Sequence, residues 1–322
     1  MSNLGELVRL LHLFWRSLRN PVFCRLKLLR LVNDCSMILQ YGSNAYIFYL
    51  LVSAMILAGI YFIFRKRSLR AKKWLLATLI LINVLQHLFK SYLYPHLYGA
   101  GFGLQNTAYN VCAALILLSP FTLFGKDSFF KVFVAYAGTI AGTLSLLLPY
   151  WFIGQTIFTW EFLRFYVCHM LLLLTSALPL LWGIRKAGYR NFWKSGFALL
   201  FLLGIVLLND VLYFICDKNG SPETLFAALE AQNPFWIMHP TETYPTIAHL
   251  FTAITPDFLL PSQTHPYYTP ILWYAIPLYL AVTLLSLVLF SIADGKRFLA
   301  DCRRQRAVKA AEYEEDAQRV DQ

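Results

Sequence analysis

The stretch WEFLRFYVCHMLLLLTSALPLLWG, residues 160–183, is an apolar run long enough to cross a bilayer, since a transmembrane helix needs about 20 such residues. Three ionisable side chains interrupt the run: Glu161 and Arg164 near its start, and His169 well inside it. Ionisable groups at that depth are costly in hydrocarbon and usually face a bundle interior or a wet cavity. The run therefore predicts a membrane helix with one face turned toward a polar interior.

The composition of the whole chain points to the same class of protein. Of the 322 residues, 58% are hydrophobic and only 14% are charged, against about 25% charged in soluble domains. Seven runs are long enough to span a bilayer, and they cover about residues 44–64, 74–94, 104–124, 129–150, 160–183, 194–216 and 270–292. The predicted fold is all-α: a polytopic membrane helix bundle of seven transmembrane helices with an N-terminal amphipathic helix.

The chain divides into three predicted parts: a basic N-terminal segment, the transmembrane domain and a charged cytoplasmic tail, over residues 1–42, 43–293 and 294–322. Within the first part, residues 4–20 place apolar side chains on one side and arginines on the other, which is typical of a helix lying on the membrane surface. The longest segment between spans, 217–269, is too long for a simple turn. We expect it to be extracytoplasmic and to pack over one end of the bundle.

Lysine and arginine are unevenly distributed between the two sides of the predicted bundle. The loop over residues 65–73 and the C-terminal tail, which lie on one side, carry most of the positive charge outside the N-terminal segment. The positive-inside rule therefore predicts a multi-pass protein of the cell membrane with its N-terminus outside and its C-terminus in the cytoplasm. The basic segment 1–42 counts against this orientation.

The net charge of +11 does not predict nucleic-acid binding, because the basic residues lie beside apolar runs, where topology signals are found. The six cysteines include no CxxC pair and lie mostly in or next to apolar segments. Neither a metal site nor a disulfide framework is indicated, and no cofactor is predicted. Membrane lipids are the expected substrate or ligand, and the oligomeric state is left open.

Polar side chains recur at helical spacing within the spans. In the second span, Asn83, Gln86, His87 and Lys90 lie on one helix face, at i, i+3, i+4 and i+7. In the third span, Gln105, Tyr109 and Cys112 form one helical row, with Asn106 and Asn110 beside it. In the fourth, Gly138 and Gly142 are four residues apart, a spacing that predicts close helix packing.

The depth of these side chains is the more informative property. With the N-terminus outside, Cys112 and His169 lie about 12–14 Å below the outer ends of their spans, and His87, Thr143 and Asn209 lie about 10 Å below theirs. A shared depth on five spans predicts a polar pocket in the outer half of the membrane. Its further candidate members are Lys90, Asn106, Asn110, Arg164 and Asp210.

Each of these residues also has a purely structural interpretation. An intramembrane cysteine such as Cys112 is usually a small core hydrophobe. His169 can simply bond a neighbouring helix, an interaction that contributes about 0.6 kcal/mol on average. Asp210 is harder to explain in this way, because an uncompensated carboxylate at the helix centre costs about 2.5–3.5 kcal/mol. Lys90 and Arg164 are the candidate partners for its charge.

Four stretches carry a resemblance to a known family. They are LQNTAYNVCAALILLSPF at 104–121, AGTIAGTLSLLLP at 137–149, WEFLRFYVCHMLLL at 160–173 and LLNDVLYF at 207–214. In them the chain resembles the YwaF-type family of seven-helix integral membrane proteins, which is related to eukaryotic transmembrane acyltransferases that act on phospholipids.

Two residues of this chain match positions that the family implies are functional. Cys112 matches the family cysteine, and His169 matches the histidine of the fifth span. Relatives have a proline and a histidine shortly before the cysteine, where this chain has Ala108 and Asn110.

The first functional hypothesis is a Cys/His lipid acyltransferase or lipid hydrolase. Cys112 would attack an acyl ester, and His169 would act as the general base that activates the thiol. An asparagine side chain of the pocket would donate to the developing oxyanion, with Asn106, Asn110 and Asn209 as the candidates. Lys90 or Arg164 would hold a phosphate head group.

The alternative is a non-catalytic transporter or lipid-binding membrane protein that uses the same pocket, with the polar side chains lining a path for a substrate or for protons. The sequence shows no repeat between its halves and no pair of Gly/Pro-interrupted spans, the features typical of transporters. The clustering of the polar groups at one depth also favours the first hypothesis.

Overall fold

The computed structural model describes residues 37–99, 101–123, 128–186, 188–218, 226–227, 229–231, 233, 237–240, 245–263, 266–295 and 297–304. Its principal helices, α1 to α8, are Asn44–Phe64, Leu69–Leu88, Val111–Leu118, Phe129–Leu147, Trp160–Leu181, Lys194–Lys218, Pro245–Ile254 and Leu272–Ala293. The predicted amphipathic helix over 4–20 and the tail beyond residue 304 lie outside the described residues.

Five of these helices, α1, α4, α5, α6 and α8, are long and apolar enough to cross a membrane. Within the described part of the chain, β-pairing is limited to one isolated bridge between Ile38 and Thr156. The architecture is therefore all-helical and consistent with a membrane protein. Helix α2 is 20 residues long, but Arg70, Lys72 and Lys73 lie in its first two turns.

The predicted third span differs most from the observed structure. Residues Leu104–Asn106 form a separate 3₁₀ turn, and α3 begins only at Val111. Asn110 has extended backbone dihedrals, and its side-chain oxygen accepts a hydrogen bond from the Ala113 N–H at 2.8 Å. The predicted helical row of Gln105, Tyr109 and Cys112 is therefore wrong, because an asparagine in this position caps a helix rather than continuing one.

Short-range contacts divide the chain into two compact units, one of which combines residues up to Met55 with Leu147–Tyr166. In this unit the backbone of Leu39 pairs with the loop before α5, through Leu39 N to Gln155 O and Gly154 N to Leu39 O, both 2.8 Å. The ring of Tyr49 meets those of Phe162 and Tyr166 edge-on. Aromatic contacts of this kind supply much of the packing of the unit.

The second unit, Ile56–Leu146 with Val167–Gln322, contains the main hydrophobic core. Leu115, Leu202, Leu203, Val206 and Tyr274 are fully buried in it, so it joins α3, α6 and α8. The segment between α6 and α8 contributes further core residues, namely Leu229, Ile237 and Met238. These three residues of the segment therefore pack against the helices that form the core.

Helices α4 and α5 are in close contact at two glycines of α4. A Cβ atom added at Gly142 would lie 2.9 Å from the backbone nitrogen of Leu173, and one added at Gly138 would overlap the Ser176 hydroxyl. Gly138 meets Ser176, and the later Gly142 meets the earlier Leu173, so the two helices are antiparallel. The close packing expected from Gly138 and Gly142 is confirmed.

Candidate functional site

The segment between Gly103 and Asn110 is the centre of the polar region. Its fully buried Asn106 accepts a hydrogen bond from Ser91 Oγ at 2.6 Å and donates one to the Leu88 carbonyl at 2.8 Å. The backbone N–H of Gly103 also donates to Asn106 Oδ1, at 3.1 Å. These bonds hold the non-helical segment against the C-terminal end of α2.

The polar side chains of α2, together with Lys90 in the short helix that follows the break at Phe89, are directed at the same segment. His87 is buried, and its Nε2 lies 2.9 Å from the Thr107 carbonyl oxygen. Lys90 is only 2% exposed, and its ammonium lies 4.6 Å from the centre of the Tyr109 ring, within the range of a cation–π interaction. Asn83 is buried as well. These three side chains are buried, whereas Gln86, predicted on the same face, is half-buried.

Helix α6 contacts the segment from another direction. Asn209 Nδ2 donates to Thr107 Oγ1 at 2.8 Å and to Asp210 Oδ1 at 3.0 Å, and its Oδ1 accepts from the Ala108 N–H at 3.3 Å. Asp210 is fully buried, and its Oδ2 has no hydrogen-bond partner among the described residues. Its contact is thus with Asn209, whereas the sequence suggested Lys90 or Arg164.

These hydrogen bonds limit the ability of the three asparagine side chains to donate to an oxyanion. The amide donors of Asn106 and Asn209 are engaged by groups of the protein itself, and the Asn110 side-chain oxygen caps α3. The first N–H groups of a helix have no partner within it, so the start of α3 carries its own donors next to Cys112.

Cys112 is the second residue of α3 and is half-buried against the core. Its sulfur lies 4.0 Å from Ser145 Oγ on α4. The positive end of the helix dipole at this position favours the negatively charged thiolate. The apolar core side of the residue favours the neutral thiol instead. Cys112 is one of four free cysteines among the described residues, with Cys168, Cys216 and Cys302.

The interface between α4 and α5 relates Ser145 to His169. Ser145 follows Gly138 and Gly142 at i+7 and i+3, so it lies on the face of α4 that contacts α5. His169 precedes Leu173 and Ser176, the residues that meet those glycines, by four and seven positions. Because the helices are antiparallel, Ser145 and His169 both lie about one helical turn beyond the Gly142–Leu173 contact, at the same end.

Two further predicted site residues are Thr143 and Arg164. Thr143, half-buried on α4, is one position away from the glycine face. Arg164 belongs to the other compact unit, whereas the remaining predicted site residues belong to the unit that contains the main core. Among the described residues, no group of three or more His, Cys, Asp or Glu side chains is placed to hold a metal ion.

Three residues of the site were not predicted from the sequence: Ser145, Thr107 and Ser91. In the sequence, Thr107 and Ser91 belong to no spacing pattern, and only the fold brings their hydroxyls into contact with other polar groups. Ser145 did carry a signal, since it continues the heptad-like spacing of Gly138 and Gly142.

Comparisons with family models, with curated proteins and with solved structures found no match to this chain. The class that the fold supports is an all-helical protein with five helices, among the described residues, that are long and apolar enough to span a membrane.

Proposed function

We propose that this protein is a thiol-dependent enzyme that transfers an acyl group between membrane lipids or hydrolyses a lipid ester, with Cys112 as nucleophile and His169 as general base. The observation that carries the proposal is the position of Cys112 beside Ser145. The proposal is supported by that contact, because Ser145 lies on the face of α4 that packs against α5, and His169 lies on the face of α5 that meets α4. The resemblance to the YwaF-type family points to the same two residues.

The chemistry proceeds through a thioester. His169 takes the proton of the Cys112 thiol, and the sulfur attacks the carbonyl carbon of a lipid ester. The C–O bond to the lipid alcohol breaks, and the alcohol leaves with the proton held by His169. The hydroxyl of an acceptor lipid, or water, then attacks the thioester, and the thiol is restored. Donor and acceptor are the only reactants that this sequence of steps requires.

The surroundings of Cys112 supply the remaining functions. The N–H groups at the start of α3 would donate to the oxyanion formed on the acyl carbonyl. The Ser145 hydroxyl would orient the sulfur. Lys90 would attract the phosphate of a lipid head group, since its charge is buried next to the same segment. His87 and Asn209 would act as positioning residues for the segment that leads into α3.

We also propose a membrane topology with seven spans. α2 and the segment around α3 would be the two spans added to the five long apolar helices. Residues 4–20 would form a helix on the membrane surface, and the N-terminus would face the outside of the cell. Support comes from the charge distribution and from the apolar runs of the sequence.

The test is an acyl-exchange assay with the purified chain in vesicles that contain isotope-labelled phospholipid. Wild-type protein is expected to redistribute labelled acyl chains, whereas Cys112→Ala and His169→Ala are expected to be inactive. Cys216→Ala, which removes an exposed cysteine, is the matched control and should retain full activity. Identical lipid profiles for the wild type and both inactive variants would contradict the proposal.

A further inference from the structure

A cavity of about 310 Å³ lies at the end of the bundle where α4 and α6 begin. Its wall combines two lysines with small polar and apolar side chains, chiefly Ser128, Val132, Lys186, Asn191, Lys194 and Phe290. The volume is at the lower end of the range for small-molecule sites, about 300–1,000 Å³. All these residues belong to the same compact unit.

The charged side chains among the described lining residues are both positive. None of these described residues is acidic, and neither Lys186 nor Lys194 forms an ion pair with a described carboxylate. The neighbouring Arg190, by contrast, is paired with Asp301 at 2.6 Å. Repulsion between the two lysine charges raises the electrostatic free energy of the protein alone. An anion that binds between them lowers this free energy.

The other lining groups suit an anion attached to an apolar chain. Lys194 Nζ lies 5.4 Å from the Trp193 ring and 5.8 Å from that of Phe129, so aromatic surface flanks the cation. Ser128 and Asn191 add polar groups, and Val132 and the fully buried Phe290 form an apolar floor. Tryptophan and lysine together are typical of the membrane–water interface.

We propose that this cavity binds the phosphate head group of an anionic phospholipid. The loops at this end lie on the predicted cytoplasmic side, where the membrane surface is negative and basic pockets between helices hold such head groups. The acyl chains of the lipid would run along the exposed apolar surface beside the bundle. The site is separate from Cys112 and does not depend on the proposed chemistry there.

The experiment measures lipid retention by native mass spectrometry on the full chain after delipidation, with dioleoyl phosphatidylglycerol and dioleoyl phosphatidylcholine as probes. The wild type should retain one phosphatidylglycerol in preference to phosphatidylcholine. Lys186→Gln/Lys194→Gln should weaken that retention by at least about tenfold. Lys66→Gln/Lys73→Gln, which removes two exposed lysines from the predicted same side, should leave it unchanged.

Two further variants separate binding from folding and from catalysis. Lys186→Arg/Lys194→Arg keeps both charges and should retain the lipid, and Cys112→Ala should retain it as well. Equal retention of the two lipids, or undiminished retention by the glutamine double variant, would overturn the proposal. Displacement of the lipid by inorganic phosphate at a comparable concentration would also overturn it, since the site would then select a free anion.

Discussion

Asn209 on α6 and Thr107 in the segment before α3 are joined by a hydrogen bond of 2.8 Å from the amide nitrogen to the hydroxyl. His87 on α2 reaches the carbonyl oxygen of the same threonine at 2.9 Å. Backbone that is not helical at membrane depth needs partners within the protein, because lipid supplies none. The two side chains therefore hold the start of α3, and with it Cys112, in one position.

The first prediction concerns Asn209. Asn209→Ala removes a donor to Thr107 and an acceptor from the Ala108 N–H. It should lower the free energy of unfolding by about 1–3 kcal/mol, the cost of leaving buried polar groups unpaired. Thermal unfolding in detergent micelles measures the effect. Leu208→Ala, which truncates an exposed neighbour on α6, serves as control, and an equal loss in the two variants would refute the assigned role.

The second prediction concerns the glycine interface. Gly142→Ala places a methyl group 2.9 Å from the backbone of Leu173, so the two helices must separate, at a cost of about 1–3 kcal/mol. Gly204→Ala on α6 meets nothing within 4 Å and should be neutral or stabilise the helix by up to about 1 kcal/mol. Opposite effects on thermal stability are expected, and a neutral Gly142→Ala would exclude the close contact.

The third prediction compares a buried arginine with an exposed one. Arg185, outside the spanning helices and buried, donates to the Thr122 carbonyl just beyond α3. Burial lowers the pKa of its guanidinium, which nevertheless stays protonated at neutral pH because its unperturbed pKa is so high. Arg185→Ala should cost about 1–3 kcal/mol of stability, because it removes a hydrogen bond from a charged donor.

Arg190→Ala is the matched comparison. Its partner is Asp301 and its side chain is 62% exposed, and an exposed pair contributes about 0–1 kcal/mol. Added salt should erase the Arg190 effect and leave the Arg185 effect in place. Equal losses for the two variants, both sensitive to salt, would contradict the burial of Arg185.

The fourth prediction separates the roles of His169 and Ser145. His169→Ala should slow acyl transfer by at least about 100-fold, the usual contribution of a general base. Ser145→Ala should slow it by less than about tenfold, because it removes only a weak contact to the sulfur. Both variants should bind lipid normally. His249→Ala, which removes an exposed histidine, is the control, and a His169→Ala enzyme with the wild-type rate would exclude the dyad.

Sequence alone predicted the long helices closely. The run over 44–64 coincides with α1, and the run over 160–183 with α5, Trp160–Leu181. In these runs both hydropathy and length favour a continuous helix, and no cluster of side chains that bond to nearby backbone opposes it. The buried polar side chains of α2 were also readable, because Asn83 and His87 follow helical spacing among apolar residues.

The break before α3 was not predicted, although the sequence contains its cause. The run over 104–124 was treated as one span because its second half is strongly apolar. Its first half, LQNTAYN, is rich in side chains that bond to nearby backbone and compete with a helix. Asn110 directly before an apolar run is a typical N-cap. The contacts of Thr107 with Asn209 and of Cys112 with Ser145, in contrast, join residues more than 30 positions apart and required the structure.

The most direct test of the account is to trap the acyl group on the enzyme. Purified chain is incubated with phospholipid that carries an isotope-labelled acyl chain, quenched in acid and analysed by peptide mass spectrometry. The account predicts a labelled acyl group on Cys112 that hydroxylamine removes and that is absent from Cys112→Ala. An acyl-free Cys112 in protein that still exchanges lipid acyl chains would contradict it.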